Sequence, residues 1–198
     1  LREDAAGDAA LAGELAAAYE RIGSVQGHPL QANLGEPEAA LESYARAEAL
    51  LAPFEGNGSP GTLLQVATVS LRRAQVLRAR GDTAGSQRAF TRALRAGEAS
   101  LAGHDSRAAL GVVGEVLAEM ARAAMDQQDL PASDAAATRA MAIAERLVAA
   151  NPADPDLRNN VASALNALGI ARLAAGRVDD AAAQFARAGD VRETLGRD

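Results

Sequence analysis

The chain contains no lysine, no cysteine and no tryptophan. All 20 positive charges are therefore arginine, and two enzyme classes fall away at once. A P-loop needs a lysine on its phosphates, and a protein kinase needs one on its third strand. Without cysteine there is no disulfide framework, no thiolate nucleophile and no cysteine zinc site, whereas the compartment stays open. No run of about 18 apolar residues could cross a bilayer, and the N-terminus lacks the pattern of a signal peptide. The first residue is Leu1 rather than methionine, which suggests a piece cut from something longer.

Aromatic residues make up only 3% of the chain while hydrophobic residues make up 48%, so the core is built from alanine, leucine and valine. Small residues let helices approach closely, and alanine has the best helix propensity. An all-α protein is expected. One helix turn is written four times, as Tyr44-Ala45-Arg46-Ala47, Phe90-Thr91-Arg92-Ala93, Ala137-Thr138-Arg139-Ala140 and Phe185-Ala186-Arg187-Ala188, at spacings of 46, 47 and 48 residues. A period of that size means stacked helical hairpins, an architecture that presents long surfaces to other proteins.

Each repeat reads as an A helix, a turn and a B helix, with units at about 8–53, 62–101, 106–150 and 156–195 of a single domain spanning 1–198. In the first A helix, Leu11, Leu15, Ala18, Ile22 and Val25 fall on one face. Its B helix turns Ala40, Leu41, Tyr44, Ala47 and Leu51 inward. Gly35, Gly81 and Gly176 stand at the hairpin turns, and Gln128 replaces glycine in the third, where a left-handed conformation costs more. The runs Glu55-Gly56-Asn57-Gly58-Ser59-Pro60-Gly61 and Asn151-Pro152-Ala153-Asp154-Pro155 separate hairpins.

Net charge is −6 and no basic, aromatic-laced stripe is present, which argues against nucleic acid as a partner. Residues 1–50 hold nine acids and three arginines, and residues 51–100 hold seven arginines and three acids. This asymmetry reads as favourable stacking of neighbouring hairpins, with a charged docking surface as the alternative. No clustered ligands for a metal are visible, no cofactor is expected, and no catalytic residue can be named. His28 reads as an exposed loop or helix-end contact, and His104 as linker. Asp179-Asp180 and Glu36 with Glu38 sit in first turns, where acids complement the helix dipole. Gly111-Val112-Val113-Gly114 lies in a helical pattern and reads as a close-packing site rather than a phosphate loop.

The residues that recur resemble the tetratricopeptide repeat. The fourth unit carries Leu165, Leu168-Gly169, Gly176, Ala181, Phe185 and Ala188 at that family's intervals, and the first carries Tyr19, Ile22-Gly23, Gly35, Ala40, Tyr44 and Ala47. The resemblance implies a right-handed array of four antiparallel helix hairpins, about eight helices, whose A helices line a concave groove. The family's groove positions fall on Glu20, Gln75, Arg78, Glu115, Arg122 and Asn166. An insert from Gly23 to Gly35 is about five residues longer than the usual turn, and His28, Pro29, Gln31 and Asn33 within it form a second candidate site. That insert and its flanks resemble the C-terminal repeats of a group of bacterial serine/threonine protein kinases, in which a kinase domain and often one membrane helix come first. The resemblance implies a non-catalytic sensory or docking module in signalling; a stand-alone adaptor or transcription-associated regulator is the other expectation. Its partner would be a protein or peptide, a second copy of the chain is a further candidate, and no direct membrane insertion is expected. The repeats would lie outside the cytoplasm if a membrane helix precedes them, and inside otherwise.

Overall fold

The computed structural model describes residues 8–102 and 106–195; His104 lies outside them. Among the described residues eight α-helices follow one another: α1 (Ala9–Gly27), α2 (Pro37–Leu51), α3 (Pro60–Ala79), α4 (Thr83–Ser100), α5 (Arg107–Asp126), α6 (Leu130–Ala150), α7 (Pro155–Ala174) and α8 (Val178–Leu195). A 3-10 turn, Ala52–Phe54, extends α2. No strand occurs among the described residues, so the protein is all-α. Successive pairs pack as hairpins within two compact units that divide between Val112 and Val113, inside α5.

Helix starts follow their capping residues. Asp8 accepts from the amides of Ala10 and Leu11, Ser59 from Thr62, Asp82 from Gly85 and Asp129 from Ala132. Proline stands in the first turn of α2, α3, α6 and α7, where its missing N–H costs nothing. The three short hairpin turns share one device. Asp82 N–H reaches Leu77 O, Asp129 N–H reaches Ala124 O and Arg177 N–H reaches Arg172 O, each at 2.9 Å. This bond closes the end of a helix through a residue in the left-handed region. That residue is Gly81 (φ 80°), Gly176 (φ 74°) and, in the third hairpin, Gln128 (φ 60°). Gly35 also has positive φ, at 76°.

In the first unit, α2 buries Ala40, Tyr44, Ala47 and Leu51 as its spacing predicts, with Leu41 half-buried. These meet Ala16 of α1 and Val66, Ala67, Val69 and Val76 of α3 in one cluster. The ring of Tyr44 lies against Gly23, where a Cβ would stand 2.7 Å from the ring. In the second unit, Ala136, Ala137 and Met141 of α6 pack on Leu165, Leu168 and Ala171 of α7 and Ala188 of α8. Phe185 repeats the Tyr44 contact on Gly169, with a Cβ there 2.6 Å from the ring. In the third hairpin, where Ala137 replaces the aromatic, Ala121 stands in place of the glycine, whereas the second hairpin buries Phe90 with Ala74 at that position. Gly114 fits the close-packing reading, since a Cβ would lie 3.2 Å from Ile143, but Gly111 faces open space.

One sequence expectation changes. The α1 stripe of Leu11, Leu15, Ala18, Ile22 and Val25 is not the face that α1 buries. Ala12, Gly13, Ala16, Gly23 and Gly27 are buried instead, while Ile22 and Val25 are exposed.

Candidate functional site

The charge asymmetry resolves into ion pairs that join neighbouring hairpins. In the first unit Glu38 pairs with Arg80 at 2.8 Å, Glu48 with Arg73 at 2.5 Å and with Arg92 at 2.8 Å, and Arg92 also with Glu55. Ser70 donates to Glu48 as well, so this nearly buried carboxylate is held on both oxygens. In the second unit Asp134 pairs with Arg172 and Arg177, and Glu145 with Arg187. Arg177 also meets Asp180 at 2.7 Å, and that hydrogen bond is the main reason its guanidinium is pushed above the ordinary arginine range. Acids of one hairpin thus meet arginines of the next, as the stacking reading expects.

The insert is an ordered cap rather than an open loop. His28 is the C-cap of α1 and is buried. Its Nδ1 accepts from the Leu30 amide at 3.2 Å, and its Nε2 lies 2.9 Å from Gln75 Oε1. An amide N–H can only donate, so Nδ1 is unprotonated and the ring is the neutral Nε2–H tautomer. Gln75 Oε1 also accepts from Arg72. Asn33 ties the remaining backbone, donating to the carbonyls of His28 and Gln31 and accepting from Gly35 N–H at 2.7 Å. The exposed-loop reading of His28 is therefore corrected: its second half, a helix-end contact, is what the ring makes. Pro29, Gln31 and Asn33 remain exposed, and so do Leu30 and Leu34.

The six groove positions fare differently. Gln75 is buried under His28 and is not open to a ligand; a polar residue at a groove position gave no sign that a histidine from the preceding hairpin would cover it. Glu20 is half-buried and accepts from Ser24, whose hydroxyl lies 3.2 Å from that of Tyr44. Burial pushes the Tyr44 phenol above its usual value, with the Ser24 bond acting against it. Arg78 and Glu115 are half-buried. Arg122 is exposed and grips buried Glu119 one turn away at 2.8 Å. Asn166, with its amide oxygen turned to α8, accepts from Arg192 at 2.6 and 2.9 Å. Glu20, Gln75 and Arg78 belong to the first unit and the other three to the second.

An open concavity in the first unit lies between α1 and the start of α3 and measures roughly 740 Å³. Gly13, Ala17 and Gly61 make a small-residue lining, and Glu14, Arg21 and Gln65 supply its polar groups. Gln65 crosses it to donate to Gly13 O at 3.3 Å. Arg21 makes no ion pair among the described residues. The sequence marked these A helices but not this end of them. No group of three or more metal-ligating side chains occurs among the described residues, and no helix among them is long and apolar enough to cross a membrane.

These elements define an all-α helical array whose hairpins are joined, within each unit, by charge pairs. No protein-family model and no curated protein matches the chain. Among solved structures it is similar to BtubC (BKLC) from P. vanneervenii, with a TM-score of 0.67 and 22% identity over 95% of this chain and 64% of that one. The chain thus spans a little under two thirds of that protein's length. It is also similar to the de novo designed helical repeat protein DHR64, with a TM-score of 0.44 and 20% identity over 100% of this chain and 98% of the design. The likeness to BtubC concerns the fold alone.

Proposed function

We propose that this chain is a non-catalytic protein-interaction module of tetratricopeptide type, and that it forms the docking or sensory region of a bacterial serine/threonine protein kinase. The observation that carries the interaction role is the concavity between α1 and α3. It is open, is lined by small residues with Leu11 and Leu15, and carries acceptor and donor side chains at Glu14, Gln65 and Arg21. Such a site selects by backbone hydrogen bonding and one or two charges rather than by a deep apolar pocket. The kinase parentage is supported by the insert from Gly23 to Gly35 with its flanking helices, which resembles the repeats of those kinases.

Two experiments test the two parts. Peptide display against the chain selects ligands for the concavity, and Arg21→Glu then lowers their affinity by roughly tenfold. Equal binding by both proteins rejects the concavity. Reading the parent coding sequence upstream tests the parentage. A kinase catalytic loop there supports it, whereas a helix-turn-helix or nucleotide-binding domain makes the chain part of a transcription-associated regulator, and an open reading frame with neither makes it a stand-alone adaptor.

A further inference from the structure

The arginine excess of residues 51–100 is larger than the stacking of hairpins uses. Arg73, Arg80 and Arg92 answer Glu38, Glu48 and Glu55, Arg72 donates to Gln75, and Arg78 is engaged as well. That leaves Arg88 and Arg95. Both stand exposed on α4, in the middle of the chain, and neither makes an ion pair, a hydrogen bond or a ring contact among the described residues. Glu98, one turn beyond Arg95, has its contact elsewhere.

The fold does not require these two charges. The repeated arginine, at Arg46, Arg92, Arg139 and Arg187, sets the register of the four B helices. In that register the position of Arg88 holds Glu42, Ala135 and Ala183 elsewhere, and that of Arg95 holds Ala49, Ala142 and Asp190. α6 therefore builds the same helix with exposed alanine at both places. In α4 the arginines also act against the helix, because Arg88, Arg92 and Arg95 put like charges four and three residues apart on successive turns. A pair of cations that packing does not use and the helix has to tolerate fits recognition, the alternative that the charge asymmetry left open.

Arg88 and Arg95 are seven residues apart, two helical turns, so they stand about 10.5 Å apart along one face. Thr91 lies between them with its hydroxyl turned back on the Gln87 carbonyl at 2.9 Å, and Ala84 and Ala99 flank them, all three exposed. The face thus offers two separated cations over small residues rather than a pocket for one ion. We infer that it docks an acidic segment of a partner protein, with each guanidinium gripping one of two carboxylates about 10 Å apart. Glutamates seven residues apart on a helix meet that spacing, and a guanidinium holds a carboxylate through two parallel hydrogen bonds. A continuous polyanion such as a nucleic acid fits less well. Net charge is −6, and α2, tied to α4 through Arg92, exposes Glu38 and Glu42. The surface is separate from the α1–α3 concavity, none of whose lining residues lies on α4.

Fluorescence anisotropy on the whole chain at low ionic strength tests this, the probe being a labelled alanine-based helical peptide with two glutamates seven residues apart. The expected result is saturable binding that weakens as salt rises, and binding roughly tenfold weaker for the peptide with glutamine in place of both acids. Arg88→Ala with Arg95→Ala, compatible with the fold because α6 carries alanine at both positions, lowers affinity by roughly tenfold while the thermal midpoint holds or rises. Arg88→Glu with Arg95→Glu shifts the preference to a peptide with two arginines. Equal binding by the alanine variant, no binding of the acidic peptide up to millimolar concentration, or tighter binding of a single-stranded oligonucleotide overturns the inference. A fall in the thermal midpoint of the alanine variant overturns it too, since the arginines then serve the fold. Arg21→Glu leaves this binding intact, which separates its outcome from that of the concavity.

Discussion

Both units join their hairpins through an acid and the repeated arginine, but they place the acid differently. Glu48 sits two residues after Arg46 and is 8% exposed, held by Ser70, Arg73 and Arg92. Glu145 sits six residues after Arg139 and is 54% exposed, on Arg187 at 3.2 Å. A carboxylate brought so far inside loses its water and needs every oxygen answered, which explains why three residues converge on Glu48 and one suffices for Glu145. The same contrast runs through the aromatic contact: Tyr44 is enclosed over Gly23, and Phe185 is partly open over Gly169. Burial, rather than the kind of contact, is what separates the two units at these pairs.

The sharpest way to break this comparison is to remove each acid. Glu48→Ala leaves Arg73 and a buried serine unanswered, takes one of two carboxylates from Arg92, and is expected to cost about 3 kcal/mol, whereas Glu145→Ala costs under about 0.5 kcal/mol. Equilibrium urea unfolding of the two variants measures both, and equal losses would mean that burial is not what distinguishes them. Next comes the glycine under each ring. Gly23→Ala drives a methyl into the enclosed Tyr44 ring and costs about 2 kcal/mol; Gly169→Ala meets a ring with solvent beside it and costs about half as much, read from the shift in thermal midpoint.

The turns provide a third test. Gln128 holds a left-handed conformation that Gly81 holds without penalty. Gln128→Gly is expected to stabilise the second unit by about 0.5–1 kcal/mol, and Gly81→Gln to destabilise the first. Hydrogen exchange of the flanking amides assigns each effect to its unit.

The smallest effect is a pH dependence confined to the first unit. Burial raises the Tyr44 phenol, so above its ordinary value of 10.0 the unfolded chain ionises while the folded one stays neutral. Stability is then complete below that pH and falls as pH rises through the folded value. Tyr44→Phe flattens the alkaline limb measured by unfolding at successive pH values; an unchanged limb would assign it to other groups.

How much of this was legible in the sequence depended on whether the cause was local. The turn glycines, the odd Gln128, the prolines at helix starts and the inward face of α2 are set by neighbouring residues, and all could be read directly. The stacking charges were visible as an excess of acid followed by an excess of arginine, although the burial of Glu48 was not. Its partners lie 22, 25 and 44 residues away in Ser70, Arg73 and Arg92, at distances that periodicity does not encode. His28 hid for the same reason, since Gln75 belongs to another hairpin. The α1 stripe misled because α1 packs through small residues, Ala12, Gly13, Ala16, Gly23 and Gly27, which an apolar count passes over.

Tyr19 and Tyr44 are the only tyrosines, and the chain has no tryptophan. Both rings sit in the first hairpin, one under Arg46 and one over Gly23. Intrinsic fluorescence therefore watches α1 and α2 alone, while circular dichroism sums all eight helices. Recording the two signals on one denaturation curve turns the composition of the chain into a built-in test of cooperativity: coincident transitions mean that the units melt as one, and a fluorescence change out of step with ellipticity dates the first hairpin's departure from the rest.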